Sequence, residues 1–177
     1  ARPAADGANQ VVLANRFARS ALGDIPVSIY FGGEQGFAPE RRQELPGWGA
    51  VEAICCDIND DGYVDLVLAN AAEESVQRDP GSYVLCNGPE GFDDTPRWTL
   101  PTARAHGTCC ADLNRDGYLD LVFCGFHNAE LLFFYGNERG FDVDNPVRLR
   151  LEYEGQVYDE PRWIYLADLN NDGWLDL

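Results

Sequence analysis

The sequence has little positive charge and no methionine. Its 177 residues include 13 Lys and Arg against 30 Asp and Glu, which gives a formal net charge of −17. Nucleic acids and anionic membrane surfaces attract clustered positive charge, so this balance argues against both partners and favours cations. Because the chain begins without an initiator methionine, we expect a processed chain or a piece of a longer one.

Long apolar segments are also absent. No run of about eighteen apolar residues could span a bilayer, and the N-terminus has no charged-then-apolar leader pattern. We therefore expect no membrane insertion. The sequence does contain the material for a core, since 45% of its residues are hydrophobic and 12% are aromatic. These fractions favour one folded domain over disorder.

An acidic motif recurs at a nearly fixed spacing. It reads DINDDGYVDL at 57–66, DLNRDGYLDL at 112–121 and DLNNDGWLDL at 168–177. The first aspartates of the three copies are separated by 55 and then 56 residues. The same offset aligns VLAN at 12–15 with VLAN at 67–70. The chain therefore has an internal repeat.

Two copies depart from the pattern. At the N-terminus, Asp6 and Gly7 remain from a decayed motif, but Arg2 and Gln10 replace its first and last aspartates, so we expect little or no metal there. The third copy carries about seven additional residues around EYEGQVYDEP, which we interpret as a surface-loop insertion.

The repeats predict an all-β fold. Short apolar runs such as AICC, DLVLA, SYVLC and LVFC are separated by Gly, Pro, Asn and Asp, as strands are. Roughly four short strands in a repeat of this length are typical of a β-propeller blade, and propellers close with about four to eight blades. We therefore predict that 1–177 is a partial β-propeller of about three blades, whose other blades come from the same or another chain. The predicted repeats are 2–56, 57–111 and 112–167, and a further repeat starts at 168–177.

The motif has the donor spacing of a calcium loop. In D-x-N-x-D-G-x-x-D, oxygen-bearing side chains occupy positions 1, 3, 5 and 9, and the glycine at position 6 permits an unusual φ. Ca²⁺ takes six to eight oxygen ligands, and the carbonyl of position 7 supplies one from the backbone. The predicted ligands are Asp57, Asn59, Asp61, Tyr63 and Asp65 in the first loop, Asp112, Asn114, Asp116, Tyr118 and Asp120 in the second, and Asp168, Asn170, Asp172, Trp174 and Asp176 in the third.

Other interpretations of the motif fit less well. An EF-hand or dockerin loop needs a Glu at position 12 and then a helix, whereas Leu68 and Phe123 stand there in apolar runs. No His or Cys occupies a ligand position, which disfavours soft metals, and Mg²⁺ prefers water and a strict octahedron. A metal-free turn rich in Asp and Asn is the alternative for a single copy. Three copies at a fixed period favour Ca²⁺, which we expect to be mainly structural.

These loops resemble the FG-GAP or VCBS repeats, which form the calcium-loop blades of integrin α-subunits and of many secreted or surface bacterial proteins. The resemblance covers nearly the whole chain and depends on the DxNxDGxxDL loop and on FFYGNERGF at 133–141. It implies a propeller of about six to eight blades, with seven favoured, and one cation in each intact loop. It also implies an extracellular or cell-surface location and a protein or glycan ligand. The absence of an N-x-S/T sequon favours a bacterial source.

The cysteines leave two interpretations open. Adjacent cysteines such as Cys55 and Cys56 point to opposite faces of a strand and cannot easily pair with each other. Buried free thiols are the favoured interpretation, and a disulfide between Cys109 and Cys124 is the alternative. Without a C-x-x-C spacing, zinc is disfavoured. The six residues are Cys55, Cys56, Cys86, Cys109, Cys110 and Cys124.

Two functions are compatible with these features. The first is a non-catalytic recognition or adhesion module on a calcium-bound scaffold. The second is the propeller portion of a secreted polysaccharide-acting enzyme such as a lyase, and fold alone does not distinguish the two. The histidines, His106 and His127, lie in different repeats and outside any recognised catalytic signature, so recognition is favoured. We expect Trp98 and Trp163, each preceded by Arg, to pack between blades.

Overall fold

The computed structural model describes residues 9–16, 24–71 and 79–177. Regular structure in these ranges consists entirely of β-strands, which confirms the predicted fold class. Accordingly, the described ranges contain no helix that could cross a membrane. The predicted N-terminal motif residues Arg2, Asp6 and Gly7 lie outside the described residues.

The strands are short and follow the apolar runs of the repeats, because β-branched and aromatic side chains pack well on a pleated surface. They are β1 (Gln10–Leu13), β2 (Val27–Phe31), β3 (Arg42–Leu45), β4 (Ala50–Cys56), β5 (Asp65–Asn70), β6 (Ser82–Leu85), β7 (Trp98–Leu100), β8 (Ala105–Ala111), β9 (Asp120–Gly125), β10 (Asn128–Phe134), β11 (Gly136–Asn137), β12 (Gly140–Phe141), β13 (Val147–Arg150), β14 (Glu152–Tyr153) and β15 (Gln156–Val157).

Three antiparallel sheets follow one another along the chain. The first has the order β1-β2-β3, the second β4-β5-β6-β7 and the third β13-β10-β9-β8. The second and third sheets therefore have the four-stranded form predicted for a blade. Their first strands, β4 and β8, precede the acidic loops at 57–64 and 112–119. The predicted repeat 57–111 thus gives three strands to the second sheet and the first strand to the third.

The core lies between the sheets. Because successive side chains of a strand point to opposite faces, Leu66 and Leu68 of β5 face the first sheet, while Val67 and Ala69 face the third. All four side chains are fully buried. We call the contact between the first and second sheets the first interface, and the contact between the second and third sheets the second interface. On the far face of the third sheet, Val122 belongs to a further small core.

The predicted surface insertion forms a short hairpin of β14 and β15. Its paired residues, Glu152 with Val157 and Tyr153 with Gln156, are all exposed. Glu154 and Gly155 join the two strands with φ values of 51° and 78°, and a two-residue turn with positive φ at both positions suits a β-hairpin. The insertion therefore lies on the surface as expected.

All six cysteines are free thiols in the structure, but only some of them are buried. Cys86 and Cys124 are buried as predicted, whereas Cys55 is exposed near the end of β4. On the ladder Cys109 pairs with Val122, so Cys109 and Cys124 are diagonal neighbours. Diagonal positions lie about 7–8 Å apart, which is too far for a disulfide without backbone movement.

Candidate functional site

Each acidic loop is closed by an equivalent pair of residues. The residue before the first aspartate pairs with the last aspartate on the antiparallel ladder, as Cys56 does with Asp65 and Ala111 with Asp120. The third loop is closed by a bridge between Ala167 and Asp176. Repetition of this pairing shows that the three loops have the same place in their repeats.

A common set of hydrogen bonds folds the loops. Oδ1 of Asp57 accepts the amide N–H of Asp61 at 3.0 Å, and its Oδ2 accepts the amide of Gly62 at 2.8 Å. The corresponding distances from both Asp112 and Asp168 are 3.1 and 2.9 Å. The first aspartate of each loop thus turns the chain back on itself, whatever the residues between.

The fourth and sixth positions of each loop have a left-handed backbone. The predicted glycines do have positive φ, with 87° at Gly62 and Gly173 and 93° at Gly117. The residue two positions before each glycine also has positive φ, which the motif alone did not predict, at 55° for Asp60 and 62° for Arg115. Asp and Asn tolerate this conformation better than Arg, because a short polar side chain hydrogen-bonds locally.

The last aspartate of the first two loops is buried. Asp65 and Asp120 are 0% exposed. Oδ2 of Asp65 accepts the amide of Ile58 at 3.0 Å, and Oδ1 accepts the amide of Asn87 at 2.7 Å. Burial raises the pKa of both carboxyl groups, and the other loop carboxylates raise it further. Ionisation of these two side chains is therefore less favourable than in water, and the hydrogen bonds from backbone amides offset that penalty only in part.

The same carboxylate joins the loop to the segment that follows the third strand of its sheet. Asp120 accepts the amide of Gly136 at 2.8 Å, as Asp65 does that of Asn87. In the first repeat, where Gln10 replaces the aspartate, the equivalent amide of Gly32 donates to the carbonyl of Asn9 at 2.8 Å. These amide donors were not predicted from the motif. The available signal was the Gly-Phe pair that follows each of them by four residues.

The donor set of each loop fits a hard divalent cation, because its side chains offer only oxygens at positions 1, 3, 5 and 9. An ionised carboxylate has about four lone-pair sites, so the amide bonds leave acceptor capacity. In the first loop Asn59 Nδ2 donates to Asp61 Oδ2 at 2.9 Å, a bond that a cation between them would displace. Within the described ranges, no three His, Cys, Asp or Glu side chains converge as a metal cluster. Hydrogen bonds link positions 1, 3 and 5 of the first loop, and position 9 points inward. The ligand set stays a prediction.

The loops lie side by side at one end of the sheets. The Arg115 guanidinium of the second loop lies over the Trp174 ring of the third, 3.7 Å from its centroid. A cleft of about 560 Å³ separates the first and second loops, and Asp57, Trp98 and Tyr118 are among its lining residues. Trp98 also packs against the core of the second interface, as predicted, whereas Trp163 is 61% exposed.

The two histidines share a neighbour, although they lie in different predicted repeats. Phe126 contacts both rings, with centroids 5.7 Å from His106 and 3.9 Å from His127. His106 is only 2% exposed, and Nη1 of Arg162 lies 3.4 Å from its Nδ1. Burial, together with the positive charge of Arg162, lowers the pKa of His106 to about 4. Its imidazole is therefore neutral at neutral pH.

Comparison with known proteins identifies the repeat. The family model described as an FG-GAP-like repeat matches residues 57–123 and 112–177. The two matches contain the three acidic loops and the complete third sheet. No curated protein matches the chain.

We predict that Gly62→Ala destabilises the chain through its backbone alone. A Cβ at Gly62 would meet nothing within 4 Å, but the φ of 87° is left-handed. The expected cost is about 1–2 kcal/mol in urea unfolding. Gly88→Ala is the matched control, because Gly88 also has open space and has no positive φ. Equal effects of the two substitutions would contradict the assigned loop conformation.

His106 is expected to weaken the fold as the solution becomes acidic. The folded chain keeps the ring neutral down to a pKa of about 4, against an ordinary value of 6.5. Between these values the unfolded state binds more protons, so stability falls as pH falls through this window.

The measurement is the urea midpoint from pH 7.5 to pH 4. His106→Asn should show a smaller loss than the wild type, and the difference separates this histidine from the carboxyl groups. His127→Asn controls for removal of a histidine beside Phe126. Coincident profiles for the wild type and His106→Asn would disprove the assignment.

Proposed function

Because the chain belongs to the FG-GAP-like repeat family, we propose that it is a calcium-binding β-propeller module for extracellular or cell-surface recognition. Its ligand on this proposal is a protein or a glycan, and Ca²⁺ is mainly structural. The observation that carries the proposal is one hydrogen-bonding scheme, repeated in three acidic loops of different sequence.

Charge supports the choice of a cation. The loops concentrate carboxylates in a chain whose net charge is already −17, so a divalent cation bound in each loop would reduce their mutual repulsion. The amide hydrogen bonds already hold the loops in a turn, so binding requires little further ordering. Side-chain donors that are all oxygens favour Ca²⁺, with Mg²⁺ the weaker candidate.

The position of the loops supports a structural role for the ion. Asp65 joins the start of its loop at Ile58 to Asn87, which lies two residues beyond the end of β6. A cation held by the same loop would oppose any movement that separates these segments. An ion that binds only the folded chain stabilises it by about 2.7 kcal/mol per site at a hundred times Kd.

The side chains beside the loops support recognition. Position 7 of each loop is an aromatic residue that remains exposed, at 38% for Tyr63, 44% for Tyr118 and 50% for Trp174. Aromatic side chains offer large contact areas to proteins and sugars with few rotatable bonds. The side chains occur at one end of adjacent sheets, where a ligand could contact more than one of them. Repeats of this family are typical of extracellular proteins, which supports the proposed location.

We predict that Asp57→Asn reduces the stabilisation by Ca²⁺ and that Asp60→Asn does not. The two substitutions remove the same charge from the same loop, but only Asp57 is a predicted ligand. Asn also suits the positive φ of 55° at position 60. The measurement is the difference in melting temperature between millimolar Ca²⁺ and excess EDTA.

The wild type should melt at a clearly higher temperature in Ca²⁺ than in EDTA. The difference should shrink by roughly one site's share in Asp57→Asn and persist in Asp60→Asn. Equal losses in the two variants would indicate general charge screening. A wild-type melt that does not respond to EDTA would refute a structural calcium role.

A further inference from the structure

Two thiols face each other across the second interface. Cys56 lies at the end of β4 in the second sheet, and Cys110 lies near the end of β8 in the third. Both are partly buried against the same core, which includes Val67 of the second sheet and Leu121 of the third. They therefore come from different sheets and meet between them.

Four of the cysteines form two doublets, Cys55-Cys56 and Cys109-Cys110. Because side chains alternate along a strand, only one cysteine of each doublet faces the second interface. Cys56 pairs with Asp65 on the ladder, and its neighbour Cys55 points to the opposite face of the second sheet. Cys109 packs against the small core on the far face of the third sheet, away from the second. Each doublet thus presents one thiol to the second interface.

The two strands hold these thiols close together. β4 and β8 are in contact across the second interface, and the Cys56 and Cys110 side chains pack against the same core there. Farther along the same strands, the amide of Thr108 in β8 donates to the carboxylate of Glu52 in β4 at 2.6 Å. This bond fixes the separation of β4 and β8 at a second point.

We propose that Cys56 and Cys110 form a redox-sensitive pair, which an oxidising disulfide such as oxidised glutathione converts into a covalent link between the second and third sheets. One cysteine loses its thiol proton, attacks the glutathione disulfide and releases one reduced glutathione. The other cysteine, also deprotonated, then attacks the protein sulfur of the mixed disulfide and releases the second glutathione. Two electrons and two protons leave the cysteines, and the glutathione disulfide is reduced to two thiols.

The link is specific to this interface. The repeat offset places Ala111 and Leu166 at the equivalent positions of the next repeat, and these residues cannot form a disulfide. Closing a loop of about 55 residues constrains the unfolded chain and should raise the melting temperature of a domain this size by about 10 °C.

The experiment compares the chain before and after equilibration with oxidised glutathione. Free thiols are alkylated, the protein is digested without reduction, and fragment-ion mass spectrometry locates any disulfide. A Cys56–Cys110 link and a rise in melting temperature are expected in the wild type. Both should persist in the matched variants Cys55→Ser and Cys109→Ser, and both should be lost in Cys56→Ala and Cys110→Ser.

Alanine occupies the position equivalent to Cys56 in the next repeat, so Cys56→Ala should be compatible with the fold. Circular dichroism checks each variant, and Cys110→Ser gives an independent reading from the other strand. Complete alkylation of all six cysteines after oxidation would overturn the proposal. A disulfide between Cys109 and Cys124 in its place, or a melting-temperature rise retained in Cys56→Ala, would also overturn it.

Discussion

The buried aspartate at the start of β5 and of β9 is the constraint on which the loop end of the molecule depends. A carboxylate removed from water is costly unless hydrogen bonds compensate it. Asp65 meets this requirement with two amides, one from its own loop and one from the segment that follows β6. Asp120 repeats the arrangement with Leu113 and Gly136. Moving either segment away would leave one oxygen of the buried carboxylate without its amide donor, so the loop and its sheet are held together.

This constraint also explains the chemistry of the loops. The inward aspartate adds negative charge behind a turn that the first aspartate already folds through two amides. The backbone holds these carboxylates in place but supplies only partial positive charge. A hard cation is the natural complement of such a site, and on the proposed function it would stabilise the same junction of loop and sheet from the solvent side. Exposed aromatic residues beside the loops would then be presented by a rigid end of the propeller module.

Local features of the site could be predicted from sequence, whereas features that depend on sheet register could not. The motif glycines and the alternating strands follow from short-range geometry, and Gly62 has the predicted positive φ. The amides of Asn87 and Gly136 lie far along the chain from the aspartates that bind them, and strand pairing alone brings them close.

Strand register also determines which cysteines lie close enough to pair. Cys109 and Cys124 look suitable for pairing on neighbouring strands, but Cys109 lies opposite Val122. The approach of Cys56 to Cys110 depends on packing between two sheets, which no single repeat specifies. The contact of His106 with Phe126, twenty residues along the chain, also arises only in the folded chain.

The central claim is that the intact loops bind Ca²⁺, and the most direct test is the number of ions bound by the unmodified chain. Equilibrium dialysis against radioactive calcium, over a concentration range that reaches saturation, gives this number without reference to stability. The account predicts three ions per chain, one for each intact loop. The account would be contradicted if no calcium were bound at the highest concentrations. It would also be contradicted if the number of bound ions did not change when Asp57, Asp112 and Asp168 are all replaced by Asn.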